Sequence, residues 1–261
     1  MKHIIKAGLT AGWDIIFSYF AWMLRYSKHP ERTPIEKRYK KVQRLTKHVF
    51  KKLNSDFIVN GLENVPEETS CFFPNHLSML DPVLIVSVLD KPISFVAKRE
   101  TETLPFAGKI IKSIDGEFMD RDDLKQSLKV MQRVQKELEN KAKHWCIFPE
   151  GTRNKDANSL GQDFHYGSFK PAMRARVPIV PVAIYGTFRV LKKKPEFKRY
   201  PVQISFLKPI MPEEYEKMTT QEVAKLVASR VRAEIIFKLR PLDHELMYGQ
   251  KIKGYSPYHI Y

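Results

Sequence analysis

From about residue 55 onward, short apolar runs alternate with amphipathic stretches of helical periodicity. Short apolar runs bounded by polar residues are typical of buried strands. The predicted strands are Phe57–Val59, Cys71–Phe73, Ser94–Ala97, Glu117–Met119, Trp145–Phe148, Ile179–Ala183 and Val202–Phe206. This alternation predicts a single α/β domain, in which a mainly parallel β-sheet is covered by helices.

Two of the intervening stretches are the clearest helices. The first runs from Asp122 to Lys141, and its apolar positions recur at helical spacing along one face: Leu124, Leu128, Met131, Val134 and Leu138. The second begins at Thr219, where Thr219 and Glu222 have the spacing of a capping box. We expect it to end before Pro241, because proline interrupts helical hydrogen bonding.

The N-terminal segment from Ile4 to Leu24 is amphipathic. Its apolar stripe comprises Ile4, Ile5, Leu9, Trp13, Ile16, Phe17, Phe20, Met23 and Leu24, and its polar stripe comprises Lys6, Thr10, Asp14 and Ser18. The uninterrupted apolar part, Ile15 to Leu24, has ten residues, whereas a membrane span needs about 20. We favour a helix lying in one leaflet of a bilayer. A helix packed on the core and a short single span are the alternatives.

The charge of the chain is strongly positive and uneven. It has 45 Lys and Arg against 29 Asp and Glu, a net charge of +16. Arg25 to Lys52 holds 11 basic and two acidic residues, and Arg189 to Arg199 holds six basic residues and one acidic residue. A basic helix over residues 36–53 directly after an apolar segment predicts contact with an anionic membrane surface. We therefore divide the chain into membrane-associating helices at 1–53 and an α/β domain at 54–261.

Composition and missing motifs exclude several classes of protein. Two cysteines cannot form a disulfide scaffold in 261 residues, and 43% hydrophobic residues exclude general disorder. The sequence contains no GxGxxG, P-loop, GxSxG, HExxH or CxxC pattern, which argues against nucleotide, serine-hydrolase and zinc chemistry. No nucleic-acid recognition motif accompanies the charge, so we do not expect a nucleic-acid partner.

Polar residues follow two of the predicted strands immediately after a proline. Pro74 is followed by Asn75 and His76, and Pro149 is followed by Glu150. Ligands of parallel α/β sheets bind at the carboxyl ends of strands, so both stretches indicate a site there. Cys71 and Cys146 lie inside the two strand runs, and we expect buried, reduced and inert thiols.

His76 and Asp81 are candidate acid–base partners. Five residues apart, they would lie about 140° apart on an ideal helix, so only a turn between them can bring them together. The carboxylate would then orient the imidazole and leave its other nitrogen free to take a proton from a hydroxyl. Alternatively, Asp81 before Pro82 could cap a helix.

Two further stretches supply arginines at strand ends. Phe148 to Arg153 offers a carboxylate, a glycine, a hydroxyl and a guanidinium, and arginine binds phosphate well because its donors form a planar fork. A polar turn with an internal Glu150–Arg153 pair is the alternative. Gly116 to Arg121 places a second arginine before the helix that starts near Asp122.

Together, these stretches resemble the glycerolipid acyltransferase family of 1-acylglycerol-3-phosphate acyltransferases (PlsC-type). Asn75-His76 to Asp81 resembles the family's NHx4D block, and Phe148 to Arg153 matches FPEGTR in full. Gly116 to Arg121 resembles the second block and Val177 to Val182 the fourth. The order along the chain is also the family's, and the resemblance covers about residues 55–210.

The resemblance implies transfer of a fatty acyl group from a thioester, acyl carrier protein or acyl-CoA, to lysophosphatidic acid, giving phosphatidic acid. It implies His76 as general base and Asp81 as its partner. It also implies an acceptor site that uses the following residues: Lys98, Arg121, Glu150, Gly151, Thr152 and Arg153. No metal or dissociable cofactor is implied.

The same resemblance implies a peripheral or monotopic protein at the cytoplasmic face of the cell membrane. Glu117 departs from the family, which usually has an apolar residue there, and this puts the phosphate role of Arg121 in doubt. Glycerol-3-phosphate or another lysolipid as acceptor remains the first alternative, and a non-catalytic membrane- or lipid-binding protein the second. A shift of short duplexes without liposome binding would revive a nucleic-acid role.

Overall fold

A computed structural model describes residues 12–249 except 14, 142, 155, 157–162 and 192–198. The N-terminal stripe residues Ile4, Ile5, Lys6, Leu9, Thr10 and Asp14 therefore lie outside the described residues, as does most of the basic cluster that follows Arg189. The seven strands are β1 (Ser55–Asn60), β2 (Cys71–Pro74), β3 (Ile93–Lys98), β4 (Glu117–Met119), β5 (His144–Cys146), β6 (Ile179–Tyr185) and β7 (Tyr200–Phe206).

Helices lie between most of these strands and at both ends of the described chain. They are α1 (Leu24–Lys28), α2 (Ile35–Lys52), α3 (Asp81–Val88), α4 (Ala107–Ser113), α5 (Leu124–Glu139), α6 (Lys170–Arg174), α7 (Thr187–Val190), α8 (Pro212–Tyr215), α9 (Thr220–Glu234) and α10 (Arg240–His244). π-Helical turns precede α1 at Tyr19–Met23, precede α10 at Ile235–Leu239 and follow it at Glu245–Gly249.

The strands form one sheet in the order β1-β7-β6-β2-β5-β3-β4. Every pairing is parallel except the one between β6 and β7. This confirms the predicted single, mainly parallel α/β domain. The antiparallel pair reverses β7 and β1, so the carboxyl ends of β6, β2, β5, β3 and β4 share one edge of the sheet. That edge is called the carboxyl edge below.

The core has two layers because both faces of the sheet are covered. Helices α2 and α3 pack on one face, where Tyr39 and Leu84 meet Phe72. Helices α5 and α9 pack on the other face, where Val134 and Val227 belong to the second layer of the hydrophobic core. All residues of β2, β6 and β7 are buried, as expected for strands with two covered faces. The predicted strand Ile179–Ala183 is thus confirmed, as the buried strand β6.

The predicted apolar face of α5 is wrong at its beginning. Val130, Val134 and Leu138 are buried, but Leu124 and Leu128 are 73% and 54% exposed. β4 has three residues and is the last strand of the sheet, so the beginning of α5, which is hydrogen-bonded to β4 through Gln126, lies over an edge that covers little of its apolar face. The helix begins close to the predicted position, and Asp123 caps it by accepting the Gln126 N–H at 2.9 Å.

Pro241 does not end the C-terminal helix. The capping box of Thr219 and Glu222 is present, as predicted, but helical structure continues through Ile235–Leu239 into α10. The π-helical turn shifts the hydrogen-bond register, so Pro241 occupies the first turn of α10, where a missing N–H costs nothing. Helices α9 and α10 therefore form one continuous C-terminal layer.

Candidate active site

The imidazole of His76 and the carboxylate of Asp81 meet at the carboxyl end of β2. His76 Nδ1 lies 2.8 Å from Asp81 Oδ2. The irregular residues after Pro74 make the turn that an ideal helix would not allow. The Asp81 side chain is fully buried and the His76 side chain is 17% exposed. The arrangement confirms the predicted proximity and leaves His76 Nε2 as the ring nitrogen available to a substrate.

Asp81 does not cap the helix that follows it. It is the first residue of α3, and its side chain makes no capping hydrogen bond. Oδ2 instead accepts the N–H groups of Leu77 and Ser78, each at 2.7 Å. Thr187 Oγ1 donates to the other carboxylate oxygen, Oδ1. These donors replace the water that burial removes, and they aim the carboxylate back at the imidazole.

Glu150 holds the main chain of His76 from beneath. The Glu150 side chain is buried, and its Oε1 accepts the His76 N–H at 2.8 Å. The loop that follows closes on the other side, where the Asn154 N–H donates to the His76 carbonyl at 2.7 Å. The stretch Phe148 to Arg153 thus fixes the residue that carries the imidazole. The ring of Phe148 also packs on the imidazole, with centroids 4.2 Å apart.

Asn75 fastens the end of β2 to β6. Its Nδ2 donates to the Ile184 carbonyl at 3.0 Å, and its Oδ1 accepts the Ile184 N–H at 2.7 Å. Both groups are buried, so the amide substitutes for ladder bonds that end at Pro74. Asn75 lies in one of the motifs, but the sequence alone indicated no role for it. The signal for its pairing with the neighbouring strand is an amide directly after a proline that ends a strand.

Gly151, Thr152 and Arg153 lie in the loop packed on His76. Gly151 has φ +68°, and a Cβ there would lie 3.1 Å from the ring of His165. The positive φ favours glycine, and any larger residue would also require the His165 ring to shift slightly. Arg153 is exposed and forms no hydrogen bond or ion pair within the described ranges, so the alternative of a Glu150–Arg153 pair is not observed. The Arg153 guanidinium is therefore unpaired among the described residues, and it belongs to the loop whose Asn154 N–H bonds to the His76 carbonyl.

A comparison of the chain with known proteins bears on this geometry. The sequence model of the acyltransferase family matches residues 56–185. A probable 1-acyl-sn-glycerol-3-phosphate acyltransferase of Mycoplasma pneumoniae is 32% identical over 215 residues, which span 77% of this chain and 79% of that protein. The chain belongs to the 1-acyl-sn-glycerol-3-phosphate acyltransferase family. It is therefore an O-acyltransferase.

Other members of the family agree with this assignment. The 1-acyl-sn-glycerol-3-phosphate acyltransferase of Saccharomyces cerevisiae is 28% identical over 80% of this chain and 65% of its own length. The crystal structure of the 1-acyl-sn-glycerophosphate (LPA) acyltransferase PlsC from Thermotoga maritima superposes with a TM-score of 0.68 at 24% identity, covering 90% of this chain and 91% of that one. This last likeness shows the shared fold.

The other two residues predicted for the acceptor site, Lys98 and Arg121, lie along the carboxyl edge at increasing distance from His76. Lys98 ends β3, two strands from β2, and its ammonium pairs with Glu100 at 2.6 Å. Arg121 follows β4, three strands and about 14 Å from β2 at the usual strand spacing. Partial burial lowers the pKa of Arg121, and the charge of Glu100 opposes that shift. The guanidinium remains charged at neutral pH.

The departure at Glu117 is explained by a local ion pair. Both Glu117 carboxylate oxygens accept from Arg133 of α5, each at 2.7 Å. The side chain therefore ties the edge strand β4 to α5 and does not compete for Arg121.

The two cysteines, Cys71 and Cys146, are confirmed as buried and free, and burial raises the pKa of both thiols.

Proposed function

We propose that this acyltransferase moves a fatty acyl group from an acyl thioester to the sn-2 hydroxyl of 1-acylglycerol-3-phosphate, forming phosphatidic acid. The observation that carries the proposal is the 2.8 Å contact between His76 Nδ1 and Asp81 Oδ2, at a ring that still reaches solvent. The acceptor is proposed because the relatives from Mycoplasma pneumoniae and Saccharomyces cerevisiae are named for it.

The proposed chemistry is general-base catalysis of acyl transfer. His76 Nε2 removes the proton of the sn-2 hydroxyl while that oxygen attacks the thioester carbonyl. A C–O bond forms, the C–S bond breaks, and the imidazolium returns the proton to the departing thiolate. Asp81 keeps the ring oriented and stabilises its protonated form while the tetrahedral intermediate exists. The products are phosphatidic acid and a free thiol.

Arg153 is proposed as the main ligand of the acceptor phosphate. Its guanidinium is exposed, is unpaired within the described part of the chain and lies in the loop bonded to His76. Arg121 is the proposed second ligand and Lys98 the third, because Lys98 already pairs with Glu100. Gly151 and Thr152 shape this site through the main-chain turn, and Glu150 supports it from within.

Replacing Arg153 by alanine is expected to raise KM for the acceptor, with a loss in kcat/KM of about 10- to 100-fold, the value of a hydrogen-bonded charge. Steady-state kinetics with varied lysophosphatidic acid measure the effect. Arg174→Ala is the matched control, because Arg174 is exposed at the carboxyl end of α6, near the opposite edge of the sheet. A change confined to the acyl donor would contradict the role of Arg153.

Residues 12–53 are proposed to hold the enzyme on an anionic membrane surface. Trp13, Phe17 and Phe20 are each more than 70% exposed, so the described part of the apolar stripe faces away from the core. Tyr19 packs on Phe106, which precedes α4 at the carboxyl edge. The apolar residues therefore project on the same side of the molecule as His76. None of the helices within the described ranges has the length and apolar character of a membrane span.

Helix α2 adds a basic face to this surface. Its buried side packs on the core, and its exposed cations are Lys37, Lys40, Lys41, Arg44, Lys47 and Lys51. Arg38 alone points inward, where it forms two 2.7 Å bonds to the carboxylate of Asp115. Cations near anionic headgroups each contribute about 1 kcal/mol to binding. A cytoplasmic-face location is proposed because acyl thioesters are made in the cytoplasm.

The double variant Phe17→Ser/Phe20→Ser is expected to bind phosphatidylglycerol vesicles at least about tenfold more weakly, since burying one phenylalanine contributes about 1.5–3 kcal/mol. Vesicle co-sedimentation measures the change. Phe237→Ser is the matched control, because Phe237 is equally exposed beside Leu207, at the end of β7 and thus at the opposite edge. Equal losses in both proteins would argue against a membrane-facing carboxyl edge.

The proposed reaction is tested by product formation. Purified enzyme in liposomes receives lysophosphatidic acid with palmitoyl–acyl carrier protein or, separately, palmitoyl-CoA. Phosphatidic acid is the expected product, and the better donor identifies the carrier. If glycerol-3-phosphate or another lysolipid is acylated instead, the acceptor assignment is wrong while the acyl-transfer chemistry stands. No acyl transfer to any acceptor would overturn the proposal.

A further inference from the structure

Asp81 receives a hydrogen bond from a residue 106 positions away that no motif includes. Thr187 Oγ1 donates to Asp81 Oδ1, while Oδ2 accepts from His76 and from two main-chain N–H groups. Both Thr187 and Asp81 are completely buried. The described structure gives Oδ1 no other hydrogen-bond donor, so the threonine hydroxyl alone defines how that side of the carboxylate is held.

A turn of the main chain at Gly186 positions this hydroxyl. Gly186 directly follows β6 and has φ +92°, a conformation that residues with a side chain rarely adopt. A Cβ at Gly186 would lie 2.4 Å from the Pro201 carbonyl oxygen. The sharp turn sends Thr187 back under the carboxyl end of β2 and starts the short helix α7. Main-chain geometry therefore sets the position of the Thr187 hydroxyl and leaves it little conformational freedom.

The segment that carries Thr187 is anchored a second time. Arg189, two residues later, forms a buried bidentate ion pair with Asp243 of α10, one bond of which is 2.9 Å long. Its guanidinium also lies 4.8 Å from the centroid of the Phe188 ring. Arg189 begins the basic stretch Arg189 to Arg199, yet its side chain is buried in the core. Through it, α10 braces the turn beside Asp81.

We propose that Thr187 is a positioning residue, whose hydroxyl fixes the rotation of the Asp81 carboxylate so that Oδ2 stays directed at His76 Nδ1. The terminal torsion of an aspartate has a broad energy profile, so bonds to one oxygen alone leave the carboxylate free to rock. A rocking carboxylate misaligns the imidazole, and small misplacements of a base are costly in rate. This inference rests on the roles proposed above for His76 and Asp81.

The test compares two replacements of Thr187 in the full-length enzyme. Thr187→Val keeps the shape without the hydroxyl, and it is expected to lower kcat about 10- to 100-fold at nearly unchanged KM. Thr187→Ser restores the donor and is expected to recover kcat to within about threefold of the wild type. Thr46→Val, which removes another buried hydroxyl whose hydrogen bond stays within α2, controls for a general loss of stability. If the valine variant does not fold, Thr187→Ala replaces it.

A double-mutant cycle with Asp81→Asn separates positioning from packing. If Thr187 acts through the carboxylate, Thr187→Val has little further effect once Asp81 is asparagine. An equal loss in both backgrounds, or equal losses in the serine and valine variants, would overturn the inference. An inactive His76→Ala enzyme beside a fully active Thr187→Val enzyme would refute this inference alone, whereas an active His76→Ala enzyme would refute the proposed base itself.

Discussion

His76→Ala is expected to lower kcat by about 10²- to 10⁴-fold, the range that general-base catalysis contributes. The imidazole hydrogen-bonds to Asp81 and packs on Phe148, and neither contact holds the core together. The thermal unfolding midpoint and the acceptor KM should therefore remain close to the wild-type values. Rates of phosphatidic acid formation under saturating substrates measure the effect.

The control for this variant is His29→Ala, which removes an exposed histidine that lies 3.4 Å from the exposed carboxylate of Glu31. We expect wild-type turnover from it. Turnover by His76→Ala within about tenfold of the wild type would contradict general-base catalysis by this residue. Loss of turnover together with a collapsed unfolding transition would instead show that the imidazole is structural.

Asp81→Asn is expected to reduce kcat by about 100-fold or more and also to destabilise the fold by about 1–3 kcal/mol. An amide has one accepting oxygen, whereas the carboxylate accepts on both sides. One side must then present an NH₂ group to Thr187 or to the donors His76, Leu77 and Ser78. Buried donors without acceptors cost free energy.

Denaturant titration measures the stability change of Asp81→Asn, and the kinetic assay measures the catalytic one. Asp90→Asn provides a matched control, because Asp90 is exposed and accepts one long hydrogen bond from Gln43, at 3.3 Å. If Asp81→Asn kept kcat within about threefold of the wild type, the carboxylate would be a structural cap of the turn rather than the partner of the base.

The seven strands could be predicted from local pattern because most are short, largely apolar runs, as in β2, β6 and β7, which are buried on both faces. Strand direction could not be predicted in the same way. The pairing of Ala183 with Ser205 shows β7 antiparallel to β6, which depends on where the long connection after β6 returns the chain. Leu124 and Leu128 follow the helical period but are exposed, because the beginning of α5 lies over β4, the short last strand of the sheet.

For the candidate site as well, the sequence identified residues, whereas their roles depend on the tertiary structure. His76, Asp81, Glu150 and Arg153 were found because each lies in a short run of unusual composition. The same runs did not reveal that Glu150 supports the His76 main chain, nor that Asp81 turns away from the helix that it begins. Those roles depend on contacts between segments 74 residues apart and on a turn whose hydrogen bonds compete with capping.

For this protein, the sequence by itself determined the elements, the acyltransferase motifs and the basic, apolar N-terminal region, because these depend on side-chain chemistry and on spacing within a few residues. Only the tertiary structure decided which groups touch the Asp81 carboxylate, and it added Thr187 and the Arg189–Asp243 brace. The reason is physical: a buried carboxylate takes its donors from whichever segments the sheet brings together. Strand order, which no local pattern encodes, places the end of β6 beside the end of β2.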